Sequence, residues 1–174
     1  MNEIYQPSDD SYFFSNFLGD YLKDKPQIKY LDMGAGSGIL SEKASEFIDK
    51  KNILAVDVNH GSVKLLREKG FNSIKSDLFQ KVKGWFDLIT FNAPYLPEDE
   101  REPKDSVVAT TGGKRGDEIS VKFLRQAKKH LNKEGRIFLL ISSFTPLEKI
   151  KKFNPKIVAR KKIFFEELMI LEIM

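Results

Sequence analysis

A glycine-rich turn between a predicted strand and a predicted helix constrains the fold of this chain more than any other feature. The strand spans 28–33, three alternating glycines follow it, and an apolar helical pattern begins at Ile39. Glycine permits a tight turn and lets the backbone come close to a ligand. Asp57 ends the next predicted strand, where its carboxylate can accept both hydroxyls of a ribose. The arrangement predicts a nucleotide-like cofactor beside the ends of these two strands.

Strand and helix patterns alternate along the rest of the chain. The predicted strands are 28–33, 52–58, 73–75, 86–91, 135–141, 156–164 and 167–173, and the predicted helices are 12–22, 39–49, 62–69, 117–131 and 146–152. Short links between them favour a parallel sheet with helices on both faces, and right-handed crossovers make it doubly wound. We therefore predict an α/β fold whose mostly parallel, seven-stranded sheet ends in a C-terminal antiparallel hairpin.

The length and composition limit the kinds of site that the chain can build. We expect one domain over 1–174, with an N-terminal arm and helix over 1–27 and an active-site loop over 92–116. The absence of cysteine excludes disulfides and thiol nucleophiles, and with only two histidines we expect no metal site. A net charge of +4 does not require a nucleic-acid partner. No apolar run approaches the ~20 residues of a membrane span, so we expect a cytoplasmic protein.

The spacing of the glycines distinguishes between classes of cofactor. The turn Asp32-Met33-Gly34-Ala35-Gly36-Ser37-Gly38 has the form G-x-G-x-G, whereas a dinucleotide fingerprint needs a small residue where Ile39 stands. The turn resembles motif I of the class I S-adenosylmethionine-dependent methyltransferases, which have a Rossmann-like fold. The resemblance implies S-adenosyl-L-methionine as cofactor. It assigns cofactor contacts to Asp32, Gly34, Gly36, Gly38, Asp57, Val58, Asp77 and Leu78.

A second motif, Asn92-Ala93-Pro94-Tyr95, follows the fourth predicted strand. An asparagine that emerges from an apolar strand is costly unless it finds partners. The tetrapeptide resembles the N-P-P-Y motif of methyltransferases that act on planar NH2 groups, with Ala93 in place of the commoner proline. The resemblance implies that all four residues form the catalytic site, where the Asn92 side-chain oxygen and the Ala93 carbonyl accept the N–H bonds of the target. It also gives Asn92 a cofactor contact. Glutamine amide, adenine N6 and cytosine N4 share this donor geometry, so the motif leaves the target open.

Two further segments resemble one subfamily of these enzymes. Tyr5-Gln6-Pro7-Ser8-Asp9-Asp10-Ser11 is similar to the Tyr-x-Pro-x-x-Asp-Ser/Thr segment of the short HemK-type enzymes of archaea and eukaryotes, with Gln6 where many members have Glu. The segment 110–118 is similar to their Gly-Gly-x-x-Gly segment. Those enzymes methylate the glutamine of the Gly-Gly-Gln motif in class-1 translation release factors. The resemblance implies this activity, a release factor as substrate, and Ser11 as a further cofactor contact.

Other functions remain open at this point. A nucleic-acid N6-adenine or N4-cytosine methyltransferase would share Asn92–Tyr95 but needs a target-recognition domain or a strongly basic groove. A protein lysine methyltransferase would need a proton removed before transfer. A cofactor-binding subunit without catalysis would not need the intact Asn92.

Three surface features complete the interpretation. The resemblance implies a small zinc-binding activator subunit near the third strand, and an apolar surface for it could come from Phe71, Ile74, Phe79 and Trp85, which could equally be core. A basic stretch over 149–162 indicates a solvated face, or contact with an RNA or an acidic partner. We expect Phe164 and Phe165 to belong to the core of the final hairpin.

Overall fold

The computed structural model describes residues 6–25, 27–98 and 111–174. Tyr5, Thr110 and the 99–110 part of the predicted active-site loop therefore lie outside the described residues. The strands are β1 (Tyr30–Met33), β2 (Ile53–Asp57), β3 (Asn72–Lys75), β4 (Phe86–Asn92), β5 (Leu131–Ser142), β6 (Lys156–Ile163) and β7 (Glu166–Ile173). They form one sheet in the order β3-β2-β1-β4-β5-β7-β6.

The sheet is parallel in its centre and antiparallel at one side. Strands β3, β2, β1, β4 and β5 pair in parallel, whereas β7 runs antiparallel to both β5 and β6. The predicted α/β fold, with a mostly parallel seven-stranded sheet and a C-terminal antiparallel hairpin, is confirmed.

Helices cover both faces of the sheet. They are α1 (Asp9–Leu22), α2 (Ile39–Ser45), α3 (His60–Glu68) and α4 (Glu118–Ala127), with short 3-10 turns at 50–52, 128–130 and 150–153. One face buries Phe14 of α1 and Leu66 of α3 against Leu88. The opposite face buries Phe123 of α4 against Phe91. Residues that alternate along β4 thus enter different cores, as the period of a strand requires. No helix in the three described ranges is long and apolar enough to cross a membrane.

The element boundaries differ from the sequence-based prediction in several places: the helix predicted over 39–49 ends at Ser45, and the strand predicted over 135–141 begins at Leu131. The helix predicted over 117–131 ends at Ala127, because Leu131 already belongs to β5, where it pairs with Phe86 of β4. The register between β4 and β5 is irregular just after this pair. The helix predicted over 146–152 is reduced to a 3-10 turn over Ile150–Phe153.

The order of the strands places the candidate site. The chain order reverses at β1, which pairs with β2 on one side and β4 on the other. Met33 at the end of β1 is level with Val56 and Phe91. Asp57 and Asn92 are the residues that follow these two, so both project from the same carboxyl edge, where ligands bind in sheets of this kind.

Candidate active site

The glycine turn packs directly against its neighbours. Gly34 and Gly38 have φ angles of 63° and 92°, in the left-handed region that favours glycine. A Cβ at Gly34 would lie 2.8 Å from the Phe91 ring, and one at Gly38 would lie 2.8 Å from Leu66 Cδ2. A Cβ at Gly36 would instead make only an ordinary contact, 3.9 Å from Gly34 O. The Gly36 N–H donates to Asp57 Oδ2 at 2.7 Å. The turn is thereby fixed to β4, to α3 and to the acid that ends β2.

The carboxylate of Asp57 is held rigidly by backbone donors. Oδ2 accepts from Gly36 N at 2.7 Å and Oδ1 accepts from Asn59 N at 2.7 Å. Burial raises the pKa of this carboxyl, and hydrogen bonds from the backbone N–H groups of Asn59, Gly36 and Val58 partly oppose that rise. Each carboxylate oxygen has a further lone pair, as two hydroxyls of a ribose would need. The next residue, Val58, is exposed beside it.

Asp32 is fully buried beneath the glycine turn. Its Oδ2 accepts from Ser41 Oγ at 2.6 Å, and its Oδ1 is buried without a hydrogen-bond partner among the described residues. Burial raises the pKa of Asp32 to about 7, although the bond from Ser41 lowers it. An unsatisfied buried acceptor of this kind calls for a donor, and an ammonium group would satisfy it.

The cofactor-free chain should lose stability as the pH rises through the pKa of Asp32. Between 3.8, the usual pKa of aspartate, and about 7, the folded state keeps a proton that the unfolded state has released. Relative to Asp32→Asn, the free energy of unfolding should fall by about 2 kcal/mol between roughly pH 5.5 and pH 8. Denaturant unfolding of both proteins at several pH values measures this difference. Parallel pH dependences would contradict the raised pKa.

Asn92 at the end of β4 has a defined side-chain orientation. Its Nδ2 donates to Asp10 Oδ2 at 3.2 Å, while its Oδ1 is buried without a partner in the described ranges. A carboxylate only accepts hydrogen bonds, so the amide nitrogen must face Asp10. The other oxygen of Asp10 accepts from the Ser8 hydroxyl and from Ser11 N at 2.6 Å. The free acceptor of Asn92 is thus turned away from α1.

Asp10 is the site residue that sequence reasoning missed. It is the Asp of the N-terminal segment singled out above, in which only Ser11 was assigned a contact. Ser11, a predicted cofactor contact, is buried, and its hydroxyl donates to Asp10 Oδ1 at 3.1 Å. The structure therefore brings the N-terminal segment and the Asn92 tetrapeptide together.

A second glycine segment packs onto the tetrapeptide. Thr111 forms a bridge with Leu96, and Gly112 N donates to Leu96 O at 2.9 Å. A Cβ at Gly112 would lie 2.6 Å from Pro94 O, and one at Gly116 would lie 2.5 Å from Tyr95 O. Only glycine permits this approach, so the segment supports the backbone that follows Asn92.

Replacing Gly112 with Ala should displace that backbone and lower kcat at least about tenfold, because small shifts of positioning groups are costly in catalysis. The cofactor Kd should change much less, since Asp32 and Asp57 lie on β1 and β2. Gly84→Ala is the control for a strained glycine outside the site: its φ of 90° disfavours alanine while a Cβ there meets nothing within 4 Å, so it should lower stability and keep kcat. Unchanged kcat in a folded Gly112→Ala protein would contradict the support role.

The predicted adenine contact, Asp77-Leu78, has a structural role in this chain. The Asp77 carboxylate pairs with Lys122 of α4 at 3.0 Å and accepts from Gln80 Nε2 at 3.0 Å. Leu78 is buried, with a φ of 47°. These contacts hold the turn after β3 in place. A cofactor contact at Asp77 and Leu78 stays a prediction.

The structure decides between the two alternatives for one aromatic group and corrects the expectation for another. Phe71 and Phe79 are 4% and 6% exposed and belong to the two cores, and Ile74 is partly buried, so the core alternative holds for these three residues and they form no exposed apolar surface. Only Trp85 of the four is exposed. Phe164 and Phe165 are not in the hairpin core: they form the turn between β6 and β7 and are exposed there.

Comparison with known proteins agrees with this geometry. Residues 12–165 match the family described as Methyltransferase small domain. A Methanocaldococcus jannaschii protein named "Putative protein N5-glutamine methyltransferase" is 39% identical over 97% of this chain and 90% of its own length. A release factor glutamine methyltransferase of Borreliella burgdorferi is 36% identical over 64% of this chain and 43% of its own.

Among solved structures, the fold is similar to that of a Thermus thermophilus 16S rRNA N2 G1207 methyltransferase in complex with AdoMet and guanosine. The TM-score is 0.66 at 19% identity, over 97% of this chain and 44% of the other. The family match spans most of the chain, from α1 to the final hairpin, and includes both the glycine turn and Asn92. The chain belongs to the methyltransferase small domain family.

Proposed function

We propose that this enzyme transfers a methyl group from S-adenosylmethionine to the side-chain amide nitrogen of a glutamine, the one in the Gly-Gly-Gln motif of a class-1 translation release factor. The observation that carries the proposal is the orientation of Asn92, whose Nδ2 is bound by Asp10 while its Oδ1 lacks a partner among the described residues. The names of the M. jannaschii and B. burgdorferi relatives support glutamine and the release factor. Such a substrate belongs to the cytoplasm.

The residues at the carboxyl edge fit this cofactor. The free oxygen of Asp32 can accept from its α-ammonium, and the remaining lone pairs of Asp57 can accept from its ribose hydroxyls. The absence of a side chain at Gly36 lets the backbone there approach the cofactor. When bound, S-adenosylmethionine supplies a methyl group activated by a sulfonium.

Asp57→Asn should raise the Kd for S-adenosylmethionine at least about tenfold. The change removes the charge and replaces one acceptor by an NH2 group, and hydrogen bonds to charged groups contribute about 1.5–3 kcal/mol. Isothermal titration calorimetry measures the Kd. Asp49→Asn is the control, because that exposed acid pairs only with Lys51 among the contacts described for it. Equal Kd values for the two variants would refute the assignment of Asp57.

Catalysis at this site rests on positioning. An amide nitrogen is a poor nucleophile, so it must be held in line with the methyl group. Asn92 Oδ1 and the Ala93 carbonyl accept its two N–H bonds, and Asp10 keeps Asn92 from turning its own NH2 group toward them. The Gly112 segment holds the following backbone in place. The proton released on transfer passes to water.

The proposal is tested by transfer of a labelled methyl group to a purified release factor beside DNA, RNA and a lysine-rich protein. We expect label on the release factor only, and none when the glutamine of its Gly-Gly-Gln motif is replaced. Label on nucleic acid, or on the factor irrespective of that glutamine, would refute the glutamine assignment. Label on the lysine-rich protein alone would favour lysine methylation.

A further inference from the structure

Two adjacent phenylalanines are displayed at the tip of the β6–β7 hairpin. Phe164 and Phe165 are 89% and 97% exposed, the highest values among the large apolar residues of the described chain. Phe144, in the loop after β5, is 53% exposed. The backbone N–H of its neighbour Ser143 donates to Glu167 O at 2.8 Å, which ties that loop to β7 close to the hairpin tip. We call Phe144, Phe164 and Phe165 the aromatic rim.

The backbone at the tip is unfavourable for the residue that occupies it. Phe164 has a φ of 46°, in the left-handed region where a bulky side chain is strained. A two-residue hairpin turn with positive φ at its first position normally has glycine there. Glycine would adopt this φ angle without strain, and the exposed phenyl ring of Phe164 buries no apolar surface that could offset the strain. We infer that the phenylalanine serves something other than folding.

The tip lies on the same edge of the sheet as the candidate active site. Asn92 is level with Leu140 of β5, and Leu140 is level with Ile170 of β7. From Ile170 the chain runs back toward Phe165, beyond the carboxyl end of β5. Strand rise and strand spacing put the tip roughly 20 Å from Asn92. Lys161 of the hairpin also pairs with Asp9 at 2.9 Å, next to the Asp10 that orients Asn92.

We propose that the aromatic rim docks the protein substrate, packing on an apolar surface of the substrate that lies outside its glutamine loop. This inference rests on the proposed function, because it gives the same enzyme a second contact with the same substrate. A contact about 20 Å away can hold a folded substrate while the acceptor glutamine reaches Asn92. It also gives the small catalytic core a means to select a protein over a free amide.

The charges near the tip favour a protein over a nucleic acid. Arg160 pairs with Glu167 and Lys161 pairs with Asp9, so acids offset two of the three basic side chains at 160–162, and Lys162 is the exposed one that remains. Glu166 directly follows Phe165. Phosphate binding requires basic groups that are not neutralised by neighbouring acids, whereas an apolar contact with a polar margin is typical of protein interfaces.

The test compares the double variant F164G/F165S with wild type in steady-state methylation of a purified archaeal class-1 release factor. We expect KM to rise at least about tenfold with kcat nearly unchanged, because exposed aromatics at an interface are frequent binding hot spots. The melting temperature should be equal or higher, since glycine relieves the strained φ. Trp85→Ser removes another exposed aromatic, outside the rim, and should leave KM unchanged.

A heptapeptide centred on the glutamine provides the second arm. Three residues on either side span about 10 Å, too short to reach the tip, so both enzymes should methylate the peptide with equal kcat/KM. Equal loss on peptide and release factor would place the effect inside the active site and overturn the proposal, as would an unchanged KM for the factor. If the double variant lost binding to RNA but kept its KM for the release factor, the aromatic rim would bind nucleic acid and the proposal would be wrong. Failure of wild type to methylate the factor would instead refute the proposed function, and the docking role with it.

Discussion

Asn92→Ala should reduce methyl transfer to the release factor at least about 1000-fold, because the variant loses the acceptor that orients the amide nitrogen for attack. The residue is partly buried at the end of β4 and its side chain bonds to α1, so the fold should be only modestly destabilised. The measurement is kcat with labelled cofactor at saturating release factor, together with a melting curve.

Asn132→Ala is a close control for this change. Asn132 also lies on a central strand and also donates to an aspartate, Asp87 Oδ1 at 2.6 Å, but outside the candidate site. We expect it to keep the kcat of wild type. Should both variants lose activity in parallel with stability, the effect of Asn92 would be structural and its assigned role would be wrong.

Asp10→Asn should lower kcat about 100-fold although the substitution is nearly isosteric. The new amide can donate, so Asn92 is free to turn its own NH2 group toward the substrate and lose the acceptor there. Ser8 is the N-cap of α1 and Asp10 lies in its first turn, so loss of the charge should cost at most about 1 kcal/mol of stability, and a purely structural role predicts no loss of activity. The comparison of kcat with melting temperature separates the two roles.

The control for Asp10 is Asp20→Asn, at the other end of α1, where the acid pairs with Lys23 at the surface. It should retain both kcat and stability. A variant at position 10 that keeps the kcat of wild type would show that Asp10 does not orient Asn92.

The central strands β1, β2 and β4 were readable because each is short, mostly apolar and followed by a distinct turn. The glycine turn was readable because its positive φ angles and close contacts with Phe91 and Leu66 leave little choice of residue. The tetrapeptide Asn92–Tyr95 was readable for a related reason, since an amide at the end of an apolar strand needs a partner.

Other parts of the site depend on contacts that no local pattern encodes. Asp10 and Asn92 are 82 positions apart, and their hydrogen bond exists only once α1 packs beside the end of β4. Burial of Phe71 and exposure of Phe164 have the same origin, because an aromatic residue fits either a core or a surface until the covering elements are known.

Tandem mass spectrometry of the methylated release factor identifies the acceptor atom, which we propose to be a glutamine amide nitrogen. We expect a single methyl group on the glutamine of the Gly-Gly-Gln motif after incubation with wild-type enzyme, and none after incubation with Asn92→Ala. A methyl group on a lysine, or an unmodified factor beside methylated RNA, would contradict it.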